Sequence, residues 1–445
     1  MGSSWLDLDA LDVTDHQREK VAIATSGNIG CFTGRAGTGK THVVGQILRH
    51  FKGDAMVLTP TGKSASVVRS IFPEASALTA YSALEPTRCG RDKGGWAFAR
   101  NRSYPLESTL LILEEWSMAG CDIMCDLLQA VKRGARLLLV GDPFRQLLSV
   151  SHGRVMIDMI NAGIPHGELT ELHRYAGRIA RVCGDIADGK NWTASTKLDL
   201  DATPKENLIH VESSSAKIPT HIKAFIEQFM SKGYSLDQIQ VLCPCNTSGD
   251  LSRERLNTLL QGWFNRDGEE IIGKFDEGKT IKNRFRLNDK CICLSNNHSQ
   301  REPQDGETFE EAGTAYVANG DTGVIIGSRE IKGKVYVRCR MPPGIVIYEL
   351  SEFRTLFALA YAITFHKSQG SGWPVVIPVI DDSNGARMVA DRSLFYTGCT
   401  RASEICCLVG PRNAMLQQCR TVRIHSRKTF LAQEIKRLRP SGLLT

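Results

Sequence analysis

Short apolar runs alternate with helical patterns of hydrophobic and polar positions over much of the chain. Four runs near the start each end in a polar or glycine-containing turn, and they cover residues 29–33, 56–59, 110–113 and 137–140. Three later runs have the same character, at residues 239–243, 375–380 and 405–409. Strands that are apolar on both faces are typical of parallel sheets covered by helices. The pattern therefore predicts an α/β fold with two parallel-sheet domains, with a helix over residues 63–71 after the second strand.

Two segments interrupt this alternation. Residues 84–107 are rich in glycine and proline around Trp96 and Phe98, which predicts a β-hairpin inserted in the first domain. Residues 281–351 contain strand-like runs and little helical pattern, which predicts a small β-barrel inserted in the second domain. The polar stretch at residues 296–313 is expected to be a mobile loop. The predicted first domain then comprises residues 1–83 and 108–170, and the second comprises residues 171–280 and 352–445.

Composition limits the class of protein. The chain has 445 residues, of which 42% are hydrophobic and 23% are charged, and this excludes a wholly disordered, collagenous or coiled-coil protein. No apolar run approaches the ~20 residues that a membrane-spanning helix needs. Fourteen cysteines lack the spacing of a zinc site, so we expect reduced, buried thiols and a cytoplasmic protein without a signal peptide.

The charge is concentrated at the end of the chain. Residues 411–445 hold eight basic side chains and one acidic side chain, which alone accounts for the net charge of +7. Such a segment attracts phosphate-rich partners, or it is the solvated face of a terminal helix. In the second interpretation the inward side chains are Phe430, Leu431, Ile435 and Leu438. The sequence leaves both interpretations open.

A phosphate-binding loop is the strongest single signal. Residues 34–41 read GRAGTGKT, which matches the pattern GxxxxGK[ST] directly after a predicted strand. The glycines Gly34, Gly37 and Gly39 let backbone N–H groups turn towards phosphates. Lys40 is predicted to reach the β- and γ-phosphates, and Thr41 to hold Mg²⁺. The predicted nucleotide site also includes the neighbouring His42.

Acidic and amide side chains follow two other predicted strands. Glu114 and Glu115 come directly after residues 110–113, where one carboxylate is predicted to bind Mg²⁺ and the next to activate water. The alternative is a solvated acidic strand end. Gln146 lies just past the strand at 137–140 and is predicted to sense the γ-phosphate, although alone it would indicate only a turn.

In this order the motifs resemble the superfamily 1B helicases, specifically the RecD and phage Dda group. The resemblance runs from about residue 14 to residue 402. It implies two RecA-like P-loop domains that use ATP and Mg²⁺ to move 5′ to 3′ along single-stranded DNA. It also implies that the inserted hairpin is the pin that separates strands at a DNA fork.

The resemblance assigns further nucleotide residues. Gln17 matches the residue that reads the adenine, and Glu114, Glu115 and Gln146 fall on motifs II and III. Motifs IV and VI contribute Arg174 and Arg401, two arginines that face the γ-phosphate in this family. Guanidinium suits that role because it is always charged and binds oxygens in pairs.

It also assigns residues that contact nucleic acid. They come from motifs Ia, Ib and V and from the tip of the hairpin, where an aromatic ring stacks on the fork: Thr59, Pro60, Lys63, Thr79, Tyr81, Thr364, His366, Lys367, Trp96 and Phe98. For the two hairpin aromatics the alternative is a small satellite core under the hairpin.

Three departures from the family pattern matter. Glu114 replaces the usual aspartate of motif II, which disturbs the geometry that Mg²⁺ prefers, and Tyr81 replaces a histidine. The predicted barrel is also short. Two rivals to a helicase therefore remain: a nucleic-acid-stimulated ATPase or translocase that does not unwind, and a weakly active ATP-binding scaffold of a nuclease or replication complex. The expected partners are single-stranded DNA and forks, with RNA left open, together with replication or recombination proteins and no membrane.

Overall fold

The computed structural model describes residues 5–88, 96–148, 151–171, 177–195, 198, 207–273, 284–303, 308–331, 333–423 and 426–438. In chain order the strands are β1 Ile29–Gly34, β2 Ala55–Thr59, β3 Ser76–Thr79, β4 Pro86–Arg88, β5 Trp96–Phe98, β6 Leu110–Leu113, β7 Arg136–Gly141, β8 His166–Leu169, β9 Asn207–Val211, β10 Ile239–Cys243, β11 Lys290–Cys293, β12 Asn297–Arg301, β13 Thr314–Val317, β14 Thr322–Ile331, β15 Lys334–Met341, β16 Gly344–Glu349, β17 Phe357–Leu359, β18 Ala362–Thr364, β19 Trp373–Pro378 and β20 Ala402–Val409.

The helices in chain order are α1 Asp15–Ala24, α2 Lys40–His50, α3 Gly62–Ile71, α4 Ala80–Ala83, α5 Cys121–Ala130, α6 Val155–Asn161, α7 Gly177–Ala187, α8 Ile218–Ser231, α9 Arg253–Phe264, α10 Phe309–Ala312, α11 Leu350–Leu356, α12 Asn384–Val389, α13 Arg392–Cys399, α14 Arg412–Arg420 and α15 Leu431–Leu438. Among the described residues, none of these helices combines the length and the apolar character needed to cross a membrane.

The chain forms two compact units. The first comprises residues 1–190, 392–397 and 421–445, and the second comprises residues 191–391 and 398–420. Strand β8 belongs to the first unit, as the sequence suggests, whereas α7 also belongs to the first unit although the sequence places residues 171–190 in the second domain. The last helix, α15, also belongs to the first unit, because Leu431 and Ile435 pack on its core. Phe430, which the terminal-helix interpretation turned inward, is instead 74% exposed.

The first unit is built on a six-stranded sheet in the order β3-β2-β6-β7-β1-β8, and every neighbouring pair is parallel. Alternate residues of each strand enter different cores because successive side chains point to opposite faces. Leu110 and Ile112 pack in the core that α2 and α3 cover. Leu111 and Leu113 pack in the core that α5 and α6 cover. This two-sided burial explains the uninterrupted apolar strands.

The predicted hairpin is present as a two-stranded antiparallel sheet of β4 and β5. Its base is held by backbone hydrogen bonds from Ala99 N to Glu85 O and from Arg100 N to Leu84 O. The Arg100 guanidinium also donates twice to Glu85 Oε1, at 3.0 and 2.8 Å from Nε and Nη2. The base of the hairpin is therefore bound to the end of α4 by main-chain and side-chain contacts.

The second unit contains a five-stranded parallel sheet in the order β18-β10-β19-β20-β9. Its core joins the inward residues of these strands to Ile222, Ile226 and Phe229 of α8 and to Leu256 and Leu260 of α9. The prediction of a second parallel sheet is confirmed, with strand ends that differ by a few residues from the apolar runs.

The insertion in the second unit is a seven-stranded antiparallel sheet rather than a demonstrated closed barrel. Its order is β13-β12-β16-β15-β14-β11-β17, and no pairing among the described residues closes β13 onto β17. The sheet extends past the predicted limit at residue 351, since β17 pairs with β11. The mobile-loop prediction for residues 296–313 is wrong, because β12 and α10 lie there. Strand β12 pairs with both β13 and β16.

Candidate nucleotide and nucleic-acid sites

Three adjacent strands bring the predicted nucleotide residues to one edge of the first sheet. Strands β6, β7 and β1 are neighbours and parallel, so their carboxyl ends share an edge. Glu114 follows β6, Asp142 follows β7, and the phosphate-binding loop begins at Gly34, the last residue of β1. The topology therefore gathers a glycine-rich loop and two carboxylates from separate parts of the sequence.

The glycines of the phosphate-binding loop meet two different requirements. Gly37 and Gly39 have φ angles of +83° and +86°, a region that other residues rarely adopt. At Gly34 a Cβ atom would lie 2.6 Å from Thr38 Oγ1 and 2.9 Å from Leu169 Cβ, so no side chain fits. The loop is therefore shaped by backbone conformation and by close packing.

Lys40 opens helix α2, and its side chain folds back over the loop. Lys40 Nζ donates to Gly34 O at 2.6 Å and to Arg35 O at 3.1 Å. Thr41 and His42 are exposed on the first turn of the helix, and His42 Nε2 lies 2.8 Å from Asp12 O. The Arg35 guanidinium forms an ion pair with Asp188, which fixes the loop to the chain just after α7.

Gln17 connects the first helix to the phosphate-binding loop. It forms a capping box with Thr14, in which Gln17 Oε1 accepts from Thr14 N at 3.1 Å. The other end of the amide, Nε2, donates to Thr38 O at 3.3 Å. The side chain is buried, so its predicted contact with an adenine stays a prediction, while its contact with the loop is structural.

Glu114 is a buried carboxyl group at the centre of the edge. Its Oε2 atom has no hydrogen-bond partner within the described part of the chain. Burial and then the charge of Glu115 raise the pKa of Glu114 to about 8, against a smaller opposing effect of the Lys40 ammonium. A buried, unpaired carboxylate oxygen beside a lysine fits a divalent cation, which would favour the ionised form.

Glu115 has the backbone geometry of a strained functional position. Its φ angle is +55°, in the left-handed region that costs energy for a residue with a side chain. The residue then starts the short 3₁₀ turn Trp116–Met118, whose Trp116 is completely buried. Glu115 is half-buried whereas Glu114 is buried, so the two neighbouring carboxylates differ in their access to water.

Sequence reasoning missed Asp142 and Tyr396 as site residues. Asp142 is fully buried after β7, and Tyr396 Oη donates to Asp142 Oδ2 at 3.0 Å. Burial raises the pKa of Asp142, and the ammonium of Lys40 and the guanidinium of Arg145 oppose that shift. The available signal was the pair Gly141-Asp142 at the end of an apolar strand, a pattern that ordinary turns share.

The remaining predicted nucleotide residues are distributed over the two units. Gln146 is buried in the first unit, and its N–H donates to Asp142 O at 3.0 Å. Arg401 belongs to the second unit and donates to Ser371 O and Thr400 Oγ1, both at 3.2 Å. Arg174 lies outside the described residues.

The motif Ia residues lie at the end of β2. Thr59 is completely buried and donates from Oγ1 to Thr61 O at 2.8 Å, so its hydroxyl shapes the turn. Pro60 and Lys63 are half-buried, with Lys63 in the first turn of α3. Of the three, Pro60 and Lys63 retain accessible surface for a nucleic-acid strand.

Motif Ib and the hairpin contact each other. Thr79 is buried and caps α4 by accepting from Ser82 N at 3.0 Å. Tyr81 is 40% exposed, and Phe98 is half-buried against the first core. Phe98 thus packs on the main core of the first unit, and its contact with a DNA fork stays a prediction. The side chain of Trp96 lies outside the described part of the structure.

The motif V residues lie at the carboxyl end of β18, in the second sheet, and in the loop that follows it. Thr364 is buried, and its Oγ1 accepts from Lys367 N at 3.3 Å. Lys367 Nζ donates to Asn319 Oδ1 at 2.6 Å, which connects this loop to the antiparallel sheet. Burial lowers the pKa of both His366 and Lys367. Thr364 is thus the last residue of β18, and His366 and Lys367 are half-buried in the loop that follows.

Comparison with known families finds two matches in chain order. Residues 12–212 match an AAA domain, and residues 359–409 match a UvrD-like helicase C-terminal domain. The chain is 26% identical to the RecBCD enzyme subunit RecD of Mycolicibacterium smegmatis, over 96% of this chain and 76% of that protein. It is 27% identical to the ATP-dependent RecD2 DNA helicase of Deinococcus radiodurans, over 84% of this chain and 45% of that protein.

The fold has solved counterparts. Bacteroides Pif1, in a crystal structure bound to single-stranded DNA, aligns over 97% of this chain and 98% of its own, with a TM-score of 0.52 and 15% identity. At that identity the likeness concerns the fold. The ordered motifs, the two family matches and the RecD relatives together make the chain similar to the RecD-like helicases of superfamily 1B.

Proposed function

We propose that the chain is an ATP-dependent DNA helicase that moves 5′ to 3′ on single-stranded DNA and separates duplex. The observation that carries the proposal is the shared edge of β6, β7 and β1, where the phosphate-binding loop and Glu114 lie on neighbouring strands. The RecD and RecD2 relatives carry helicase names, which supports the same activity for this chain.

The chain's own residues account for nucleotide binding. The turned backbone of residues 34–41 offers N–H groups to phosphate oxygens, and α2 adds its positive end. Lys40 exchanges its two carbonyl contacts for phosphate oxygens, which are stronger acceptors for an ammonium group. Thr41 and Glu114 are the residues that would hold Mg²⁺. When bound, the ion neutralises phosphate charge and orients the terminal phosphate.

Hydrolysis requires a base and compensation of the charge that develops. Glu115 accepts the proton of the attacking water, a role that suits a half-buried carboxylate next to the proposed Mg²⁺ ligand Glu114. Gln146 positions that water, and Arg174 and Arg401 stabilise the transferring phosphoryl group. These roles come from the family resemblance, and the burial of Gln146 next to Asp142 supports its placement at the nucleotide edge.

Single-stranded DNA is the nucleic acid along which we propose that the protein moves. Pro60, Lys63 and Tyr81 in the first unit and His366 and Lys367 in the second retain accessible surface at strand ends. Their cations and aromatic rings suit phosphates and bases. The Pif1 relative of similar fold was solved with single-stranded DNA. We assign strand separation to the hairpin of β4 and β5, whose base is firmly attached to α4.

The test is ATP hydrolysis with and without a single-stranded oligonucleotide. We expect stimulation by DNA in the wild type, loss of hydrolysis in Lys40→Ala, and wild-type behaviour in Lys52→Ala, an exposed lysine beyond the other end of α2. Hydrolysis that survives in Lys40→Ala would contradict the assignment of the loop. Very low activity that Glu114→Asp restores would favour the scaffold function over the motor.

A further inference from the structure

The phenol of Tyr396 is shared between the phosphate-binding loop and the strand end that carries Asp142. Tyr396 Oη accepts from Ala36 N at 3.0 Å and donates to Asp142 Oδ2 at 3.0 Å. Tyr396 is almost completely buried, and all three residues belong to the first unit. Burial raises the pKa of Tyr396, so the hydroxyl keeps the proton that this donation requires. Asp142 also pairs with Arg145, at 3.1 Å.

The next residue of helix α13 makes a second contact with the same loop. Thr397 Oγ1 accepts from Leu147 N at 3.0 Å. Asp142 and Leu147 lie on either side of Gln146, whose own N–H donates to Asp142 O. Two successive residues of α13 therefore hold the segment that contains the predicted γ-phosphate sensor.

The same helix leads directly to Arg401. After Thr397 the chain passes into the second unit at Gly398, where a Cβ atom would lie 2.2 Å from the Phe365 ring. Arg401 N donates to Gly398 O at 3.2 Å, so the turn continues to the arginine. Helix α13 ends at Cys399, and the backbone between Tyr396 and Arg401 is short and hydrogen-bonded, so we expect a displacement of Tyr396 to reach Arg401 along the chain.

Ala36 N–H belongs to the loop that turns its donors towards phosphates. A triphosphate bound there competes with the tyrosine hydroxyl for this donor, or draws the loop and the hydroxyl together. In either case the hydrogen bond between Tyr396 and Ala36 changes with the occupant of the loop. The Tyr396 hydroxyl still donates to Asp142, so a displacement of the hydroxyl also displaces Asp142 and the segment that contains Gln146.

We propose that Tyr396 is a positioning residue that couples the occupant of the phosphate-binding loop to the setting of Arg401. The inference rests on the proposed function, in which ATP binds the loop and Arg401 acts on its terminal phosphate. Tyr396 itself contacts protein groups only among the described residues, and it acts on the reaction through α13.

The experiment compares Tyr396→Phe, which removes only the hydroxyl, with wild type. We expect kcat for DNA-stimulated ATP hydrolysis to fall at least about 10-fold. The dissociation constant of N-methylanthraniloyl-ADP should change by less than about 3-fold, because the loop and Lys40 are intact. Tyr348→Phe is the matched control, since Tyr348 is also buried and its Oη donates to Asn297 Oδ1 at 2.8 Å in the antiparallel sheet. It should retain wild-type kcat.

A double-mutant cycle identifies the route of the effect. If Tyr396 acts through Arg401, its hydroxyl has nothing to position once that guanidinium is gone. In an Arg401→Ala background, Tyr396→Phe should therefore change the residual kcat by less than about 2-fold. A further loss as large as in wild type would show an independent structural role and overturn the inference.

The outcomes also separate this inference from the proposed function. Unchanged kcat in Tyr396→Phe, with an active wild type, overturns the coupling alone. A parallel loss of kcat and nucleotide affinity assigns Tyr396 to the shape of the loop and overturns it as well. A wild type that binds nucleotide without hydrolysing it overturns the proposed function and the inference together.

Discussion

The ring of Phe98, at the end of the hairpin strand β5, meets the ring of Tyr81 edge-on. The ring centroids are 5.2 Å apart, and the ring planes are inclined by 82°. This T-shaped contact joins Tyr81, the motif Ib residue, to the hairpin. It covers part of the Phe98 ring, which the sequence predicts to stack at the DNA fork. Tyr81 remains 40% exposed, so it still presents surface to a base.

The first prediction concerns Tyr81 as a stacking residue. Tyr81→Ala should weaken binding to single-stranded DNA by roughly 5- to 150-fold, since base–aromatic stacking contributes ~1–3 kcal/mol per base. Tyr81→Phe should bind almost as well as wild type, because the ring is kept. Fluorescence anisotropy with a labelled oligonucleotide measures both. Equal affinity in wild type and Tyr81→Ala would refute the contact.

The second prediction concerns the base of the hairpin. The Arg100 guanidinium binds Glu85, donates to Pro105 O at 2.9 Å and lies 3.9 Å from the centroid of the Tyr104 ring. Arg100→Ala removes all three contacts and should loosen the hairpin. We expect unwinding to fall several-fold while DNA-stimulated ATP hydrolysis stays near wild type.

Arg102→Ala is the matched control for the hairpin, because it removes the same charge from an exposed position nearby. It should leave both unwinding and hydrolysis unchanged. If Arg100→Ala unwinds as fast as Arg102→Ala, the hairpin does not need this support, and its assignment to strand separation weakens.

The third prediction follows from the raised pKa of Glu114. Folded protein without divalent cations keeps this proton up to about pH 8, whereas the unfolded chain loses it near its ordinary pKa of 4.5. Between these values the folded state binds more protons, so this group's contribution to stability falls as pH rises. Glu114→Gln should remove that part of the pH dependence.

Urea unfolding in EDTA at several pH values measures the effect. The unfolding free energy of wild type minus that of Glu114→Gln should decrease steadily from pH 5 to pH 8. Glu74→Gln, at an exposed position after α3, serves as the control and should show no such trend. A difference that is flat with pH would mean that Glu114 ionises normally in the folded protein.

The fourth prediction concerns Arg401. Arg401→Ala should lower kcat for ATP hydrolysis by roughly 10²- to 10³-fold, the usual cost of removing one donor that stabilises transition-state charge. Affinity for single-stranded DNA should change little, since the residue is assigned to the nucleotide. Arg420→Ala, at an exposed position of α14 in the same unit, should retain full activity. A loss of DNA affinity without loss of kcat would move Arg401 to the nucleic-acid interface.

The sequence predicted the elements whose burial is two-sided. Strand β6 is apolar at every position because both faces are covered, and its bounds match the apolar run. The phosphate-binding loop was equally clear, because the positive φ angles at positions 37 and 39 favour glycine, and both residues are glycine. Such features depend on neighbours close in the chain, and a single sequence therefore reveals them.

Features that depend on distant partners could not be predicted. Strand β12 reads Asn-His-Ser-Gln-Arg without apolar alternation, and only its pairing with β13 and β16 makes it a strand. Tyr396 and Asp142 are 254 residues apart, so nothing local connects them. The attachment of α15 to the first unit likewise depends on packing of Leu431 and Ile435 on a core formed much earlier in the chain.

The most direct test of the helicase assignment is ATP-driven unwinding of two duplexes, one with a 5′ single-stranded tail and one with a 3′ tail. Lys40→Ala and Lys52→Ala are measured in parallel. We predict that wild type and Lys52→Ala unwind the 5′-tailed duplex only, and that Lys40→Ala unwinds neither. A preference for the 3′ tail would contradict the direction of movement. Failure on both duplexes with DNA-stimulated hydrolysis intact would contradict strand separation itself.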